Sequence, residues 1–230
     1  MKKIYIITGK DEWLTNVVLE RLTKKYTITL IKIYNEKFNL YKTIKLVILF
    51  GIINLFKIFF KKIDNKKIKI INIKQNQLEN ILKKINKNKI FLINLSFKIK
   101  KNFKNIFNCH PAILPNYKGL LPIQRNIYDN IFYKKSNDCG VTIHKINKEF
   151  DEGKILWNKV INIKKFIGNQ KIMYEKVYSN FSQGIDQIAS NKKKHYKKVK
   201  KDYKCKKNLH FLEILKLKVK LINSYNGSLF

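Results

Sequence analysis

Arginine, acidic side chains, proline and cysteine are all scarce in this sequence, and each scarcity narrows what the chain can be. Its 230 residues hold 15 Asp and Glu against 50 Lys and Arg, a formal net charge of +35, and arginine occurs only at Arg21 and Arg125. So basic a chain is suited to nucleic acid, anionic membranes or phosphorylated molecules. Readers of nucleic-acid bases, however, often exploit arginine's planar fork, which is almost missing. Lysine, isoleucine and asparagine are abundant together in core-like and surface-like stretches alike, the mark of an AT-rich coding background. The charge therefore reads first as compositional drift, with a polyanion-binding surface as the alternative.

The three cysteines, Cys109, Cys139 and Cys205, have neither paired nor metal-ligand spacing. That argues against a disulfide framework or a zinc site and for a reducing, cytoplasmic setting. No metal centre is expected. The short apolar run Ile4–Thr8 before Gly9 is too brief for a signal-peptide core and reads as a first buried strand. Leu46–Phe60 is strongly apolar but is interrupted by Asn54 and Lys57, so no stable membrane span is expected. A buried or interface helix is the first reading there, and an in-plane membrane helix the second.

What is present has the rhythm of an α/β fold. Thr27–Ile33, Lys67–Ile73 and Lys89–Ser96 are further β-branched runs, Asn16–Lys24 and Gln77–Ile85 have helical periodicity, and Phe107–His110 and Gly140–Ile146 read as later strands. Strands alternating with helices predict a Rossmann-like, mostly parallel sheet with helices on both faces. One α/β domain over residues 1–190 is expected, followed by a lysine-rich extension over 191–230. Within that extension, ten of the sixteen residues of Lys192–Lys207 are lysine. The run reads as a solvated face or linker, with nonspecific polyanion contact as the sharper alternative. Leu209–Ile222 reads as a terminal helix or strand.

All three prolines, Pro111, Pro115 and Pro122, fall in one twelve-residue window. In a proline-poor chain this marks a loop of fixed shape. Just before it, strand alternation turns Asn108 and His110 to one face and Cys109 to the other. The pair sits at a strand's carboxyl end, where open α/β sheets bind ligands. A second segment runs from the strand at Gly140 into a loop carrying Asp151 and Gly153. A carboxylate brought beside His110 would orient the imidazole and favour its charged form.

These segments resemble the formyltransferases that use 10-formyltetrahydrofolate, among them the methionyl-tRNA, glycinamide ribonucleotide and sugar-nucleotide branches. The resemblance is carried by Asn108-Cys109-His110, Leu114-Pro115-Asn116-Tyr117-Lys118-Gly119, Gly140-Val141-Thr142-Ile143-His144 and Asp151-Glu152-Gly153. Pro122-Ile123-Gln124-Arg125 looks most like the methionyl-tRNA branch. The resemblance implies a one-carbon transferase in which Asn108, His110 and Asp151 are catalytic. It places Phe97, Lys98, Ile99, Glu149 and Phe150 at the folate co-substrate. The implied partner is an amine acceptor, either methionyl-tRNA or a small amino sugar or nucleotide.

In such a reaction an amine attacks the formyl carbon and charge grows on the formyl oxygen. Asn108 and a protonated His110 are expected to donate to that oxygen, with Asp151 holding His110 and helping to move the amine proton. Cys109 is expected to be a packed thiol and His144 a structural histidine. Lys118 could meet an anionic acceptor, and Arg125 a phosphate or solvent. The chain departs from the family in having Ala112 where a small polar residue usually stands. The roughly forty residues after the expected core are also few for a five-stranded barrel of ordinary strand lengths, such as the methionyl-tRNA branch carries. Charge alone would instead favour a polyanion-binding module, and Leu46–Phe60 a membrane-peripheral protein. Neither accounts for the ordered Asn, His, Pro and Asp elements.

Overall fold

The computed structural model describes residues 2–9, 12–34, 44, 47–48, 68–95, 99, 103–119, 122–133, 138–147, 151–162, 169–191 and 211–226. Seven strands are present: β1 (Lys2–Thr8), β2 (Tyr26–Tyr34), β3 (Ile68–Lys74), β4 (Ile90–Ile93), β5 (Ile106–His110), β6 (Asp138–Lys145) and β7 (Ile155–Asn162). They form one sheet in the order β3-β2-β1-β4-β5-β6-β7. The helices are α1 (Glu12–Leu22), α2 (Leu78–Ile85), α3 (Pro122–Tyr133), α4 (Gln170–Ser179), α5 (Phe181–Ala189) and α6 (Phe211–Asn226).

The central strands β1, β2 and β4 form where isoleucine-rich runs are buried on both faces. Successive residues divide between two cores. Ile4, Ile6, Ile28, Leu30, Phe91, Ile93, Phe107 and Cys109 pack with helices α1, α3, α4 and α5. Tyr5, Ile7, Ile31, Ile33, Ile90, Leu92 and Ile106 pack on the other face with Leu78 and Leu82 of α2. In α6, Ile214, Leu217 and Leu221 are buried in the first of these cores, at the spacing of one helical face. The terminal apolar segment is thus a helix, and it packs against the sheet domain.

Strands β1 to β5 pair in parallel, but β5–β6 and β6–β7 pair antiparallel. The sheet is therefore mixed, and β7 is a strand that the alternating pattern did not announce. The reason lies in the connection. Only the residues between Lys145 and Ile155 separate β6 from β7, too short for a crossover, so the chain must turn back on itself. β4 also stops earlier than the apolar run suggests, at Asn94, whose φ of 56° leaves the strand region.

Lys192–Lys207, and Leu46–Phe60 apart from Val47 and Ile48, lie outside the described residues. Val47 and Ile48 are half-buried against the helix-side core. Among the described residues, no helix is long and apolar enough to cross a membrane.

Candidate active site

Strand β5 ends at the carboxyl edge of the parallel part of the sheet, and its alternation separates three consecutive side chains. Cys109 is buried in the helix-side core, where desolvation pushes its thiol well above the ordinary range. A thiol held neutral in this way is inert. Asn108 and His110 turn to the opposite face, where the antiparallel register with β6 sets Asn108 opposite His144 and His110 opposite Thr142.

After β5 the chain folds back over the strand end. Thr142 Oγ1 donates to the Ala112 carbonyl at 2.7 Å and accepts from the Leu114 amide at 3.1 Å, tying this loop to β6. The loop then brings the Tyr117 carbonyl to 2.5 Å from Nε2 of His110. A carbonyl can only accept, so Nε2 carries the proton. The Tyr117 phenol is anchored separately. It hydrogen-bonds Asp129 of α3, and burial first, then Asp129, raises its pKa to about 12. Asp129 in turn pairs with Arg125 at 3.1 Å, and Arg125 reaches Glu213 of α6 at 3.6 Å.

Asp151 is the hub. It adopts a φ of 54°, uncommon outside glycine and a mark of a constrained turn. Its Oδ1 accepts from Asn108 Nδ2 at 3.1 Å and lies 3.3 Å from His144 Nε2. Its Oδ2 accepts from the Gly119 amide at 2.9 Å and lies 3.4 Å from His110 Nδ1. The side chain is buried, and burial alone would raise its pKa. His110, His144 and the Gly119 N–H outweigh burial and hold the carboxyl well below the usual range. His110 moves the other way from the expected cation. Complete burial lowers its pKa, against the opposing pull of Asp151 and the Tyr117 carbonyl. The resting imidazole is therefore neutral, with its proton on Nε2, and it can still donate there.

Sequence reasoning placed His144 as structural, and it has that role: Nδ1 donates to the Lys145 carbonyl at 2.9 Å. Its Nε2 also lies 3.2 Å from Asn108 Nδ2, so the same ring borders the site. The antiparallel pairing with β5 was the missing signal. Gly153 explains the tightness of the Asp151 turn, because a Cβ there would lie 1.5 Å from the Lys145 carbonyl oxygen. Lys118 is turned inward, 2.8 Å from Glu152, with its side chain only 1% exposed, rather than outward as an acceptor contact. Arg125 is engaged with carboxylates of α3 and α6.

Of the five positions assigned to the folate, Ile99 is buried in the core on the α2 face of the sheet. Phe97, Lys98, Glu149 and Phe150 lie outside the described residues. Among the described residues, no group of three or more His, Cys, Asp or Glu could hold a metal ion.

The family model described as Formyl transferase matches residues 63–196, more than half of the chain. The chain belongs to the formyl transferase family. Methionyl-tRNA formyltransferase of Thermotoga neapolitana is 42% identical to this family member over 60 residues, which are 26% of this chain and 18% of that protein. The methionyl-tRNA formyltransferase of Borreliella afzelii is 32% identical over 108 residues, 43% of this chain and 32% of that protein. The matches thus span less than a third of these relatives' own length.

Solved structures share the fold. Phosphoribosylglycinamide formyltransferase from Anaplasma phagocytophilum superposes on this chain with a TM-score of 0.54 at 14% identity, covering 88% of this chain and 96% of that one. An N-formyltransferase from Helicobacter canadensis, solved with folinic acid and dTDP-3-aminofucose, gives a TM-score of 0.54 at 19% identity, covering 98% and 82%.

Proposed function

We propose that this chain is an N-formyltransferase that moves a formyl group from 10-formyltetrahydrofolate to a primary amine, with Asn108, His110 and Asp151 as its catalytic residues. The observation that carries this reading is the convergence of those side chains. Two come from one face of β5 and one from a left-handed turn after β6, and Asp151 meets Asn108 at 3.1 Å and His110 at 3.4 Å. Family membership supplies the reaction class.

The donor set suits a formyl group. The folate donor supplies a formyl carbon open to attack by an amine. His110 Nε2–H already donates to a carbonyl oxygen, that of Tyr117, and a formyl oxygen taking that place would receive the same N–H. Asn108 Nδ2 has two hydrogens, one on Asp151 and one toward His144. Exchanging the second for the formyl oxygen adds a donor aimed at charge that grows only as the reaction proceeds. Losing one such donor typically costs about a hundred- to a thousandfold in rate. The Asp151–His110 pair takes up the amine proton. The imidazolium so formed has the carboxylate 3.4 Å from Nδ1, which offsets its charge. It gives the proton to N10 of the folate as the bond from N10 to the formyl carbon breaks and tetrahydrofolate leaves.

The catalytic unit would be residues 1–190, with 191–230 an extension whose helix α6 docks back on the core. Phe97, Lys98, Ile99, Glu149 and Phe150 are proposed to contact the folate, and the compartment is proposed to be cytoplasmic. For the acceptor, the sequence likeness around the site favours methionyl-tRNA. A nucleotide-linked amino sugar or glycinamide ribonucleotide is the second reading, and Lys192–Lys207 would add nonspecific polyanion contact. The test is a panel of these three amines with 10-formyltetrahydrofolate, each product checked for an added formyl group. Formylation of one amine supports the reading. Formylation of none, with folate bound, removes it.

A further inference from the structure

We propose that Lys118 and Glu152 form a positioning pair that clasps the loop over His110 to the loop carrying Asp151, and so fixes the Asp151 carboxylate for reaction. The inference rests on the reading of this site as a formyl-transfer centre.

The two loops come from separate parts of the chain, the β5–α3 connection and the β6–β7 connection, and they meet at two consecutive contacts. Lys118 Nζ reaches Glu152 Oε1 at 2.8 Å, and one residue on in the first loop and one residue back in the second the Gly119 amide donates to Asp151 Oδ2 at 2.9 Å. The backbone needs such support. Asp151 has a φ of 54°, a conformation that in a non-glycine residue persists only where surrounding contacts over-determine it. Asn108, His110 and His144 approach the Asp151 carboxylate from the sheet, and the Gly119 amide approaches it from the other loop. Lys118 and Gly119 tie one loop to the other.

Burial argues the same way. The Lys118 side chain is 1% exposed and that of Glu152 is 31% exposed. A cation so deeply buried requires a close carboxylate, and breaking such a pair is costly. Glu152 sits at the rim, so the pair holds its geometry from the inside while one end touches solvent. Lys118 thus acts within the protein through its neighbour, and a role in gripping an anionic acceptor would need it turned outward.

The clasp makes a specific claim about kinetics. A positioning pair lowers the rate of the chemical step, whereas an acceptor-binding lysine raises the acceptor KM. Three variants test this in the full-length protein: Lys118→Met, Glu152→Gln, and the exchanged pair Lys118→Glu with Glu152→Lys. Single-turnover transfer is measured on whichever amine is formylated, and the His110 ring nitrogens are titrated by heteronuclear NMR without substrate. Each single variant is expected to lose roughly ten- to a hundredfold in rate while the acceptor KM moves less than about threefold. The exchanged pair is expected to recover to within about fivefold of wild type. In both single variants the His110 titration should shift in the direction produced by Asp151→Asn, because the carboxylate is no longer held beside it.

Unchanged rates with a raised acceptor KM would overturn the proposal in favour of an acceptor contact. An unshifted His110 titration, or an exchanged pair no better than the single variants, would also overturn it. Glu152→Gln leaves Lys118 an acceptor oxygen and keeps the test open should Lys118→Met fail to fold. If the wild type formylates no amine, the parent reading fails, while the His110 titration still decides the clasp.

Discussion

The backbone carbonyl of Tyr117 stands 2.5 Å from Nε2 of His110, while the phenol of the same residue is bonded to Asp129 on α3. One residue therefore links the position of the imidazole to a helix on the other side of the loop. With its pKa raised to about 12, the phenol remains a donor at every working pH. Tyr117→Phe removes that donor and leaves a buried carboxylate short of a partner. It is expected to cost about 1–3 kcal/mol of stability, read from urea unfolding. Equal stability of the two proteins would show that the phenol does not anchor the loop.

The depressed Asp151 carboxyl gives acid sensitivity a definite sign. Its folded pKa lies below its unfolded value, so its stabilisation is complete above the ordinary carboxylate value, about 3.9. That stabilisation is lost as pH falls below it. His110, with its pKa lowered by burial, adds a second slope. Just below the ordinary histidine value, near 6.5, the unfolded chain binds more protons, so stability rises with pH there. Asp151→Asn should remove the first slope and, by taking away the anion, lower the His110 pKa further. Unfolding free energies measured across pH for both proteins check this. A wild-type profile unchanged in Asp151→Asn would contradict the assigned environment.

Much of the fold was legible because burial writes a period into the sequence. Isoleucine-rich runs marked β1 to β4, and Leu78, Ile81, Leu82 and Ile85 marked α2. What escaped depends on connections and on the backbone. β7 carries Asn158, Lys159 and Val160 outward, which dilutes its apolar signal, and the antiparallel direction of β6 follows from a short turn. Asn108 and His110 could be read together because a strand has a period of two. Asp151 could be read only through its motif. His144 borders the site through cross-strand register, and the Tyr117 carbonyl and Gly119 amide are main-chain groups that no side chain announces.

Gly153 tests the turn that delivers Asp151. Since a Cβ would lie 1.5 Å from the Lys145 carbonyl oxygen, Gly153→Ala must displace the backbone beside the site. A loss of at least about 3 kcal/mol in stability is expected, at the upper end for a single substitution, with transfer activity lost in parallel. Thermal unfolding and activity together check it, and a stable, active Gly153→Ala protein would mean that the turn is not so confined.

The most direct test of the catalytic assignment is single-turnover formyl transfer, with folate affinity determined separately, in four variants. His110→Ala, Asp151→Asn and Asn108→Ala should each slow transfer by roughly two to four orders of magnitude while folate binding is retained. Cys109→Ala should keep its rate to within a few fold, because that thiol is buried in the helix-side core, facing away from the site. An inactive Cys109→Ala beside a His110→Ala protein of normal rate would contradict the assignment and place the chemistry on the cysteine.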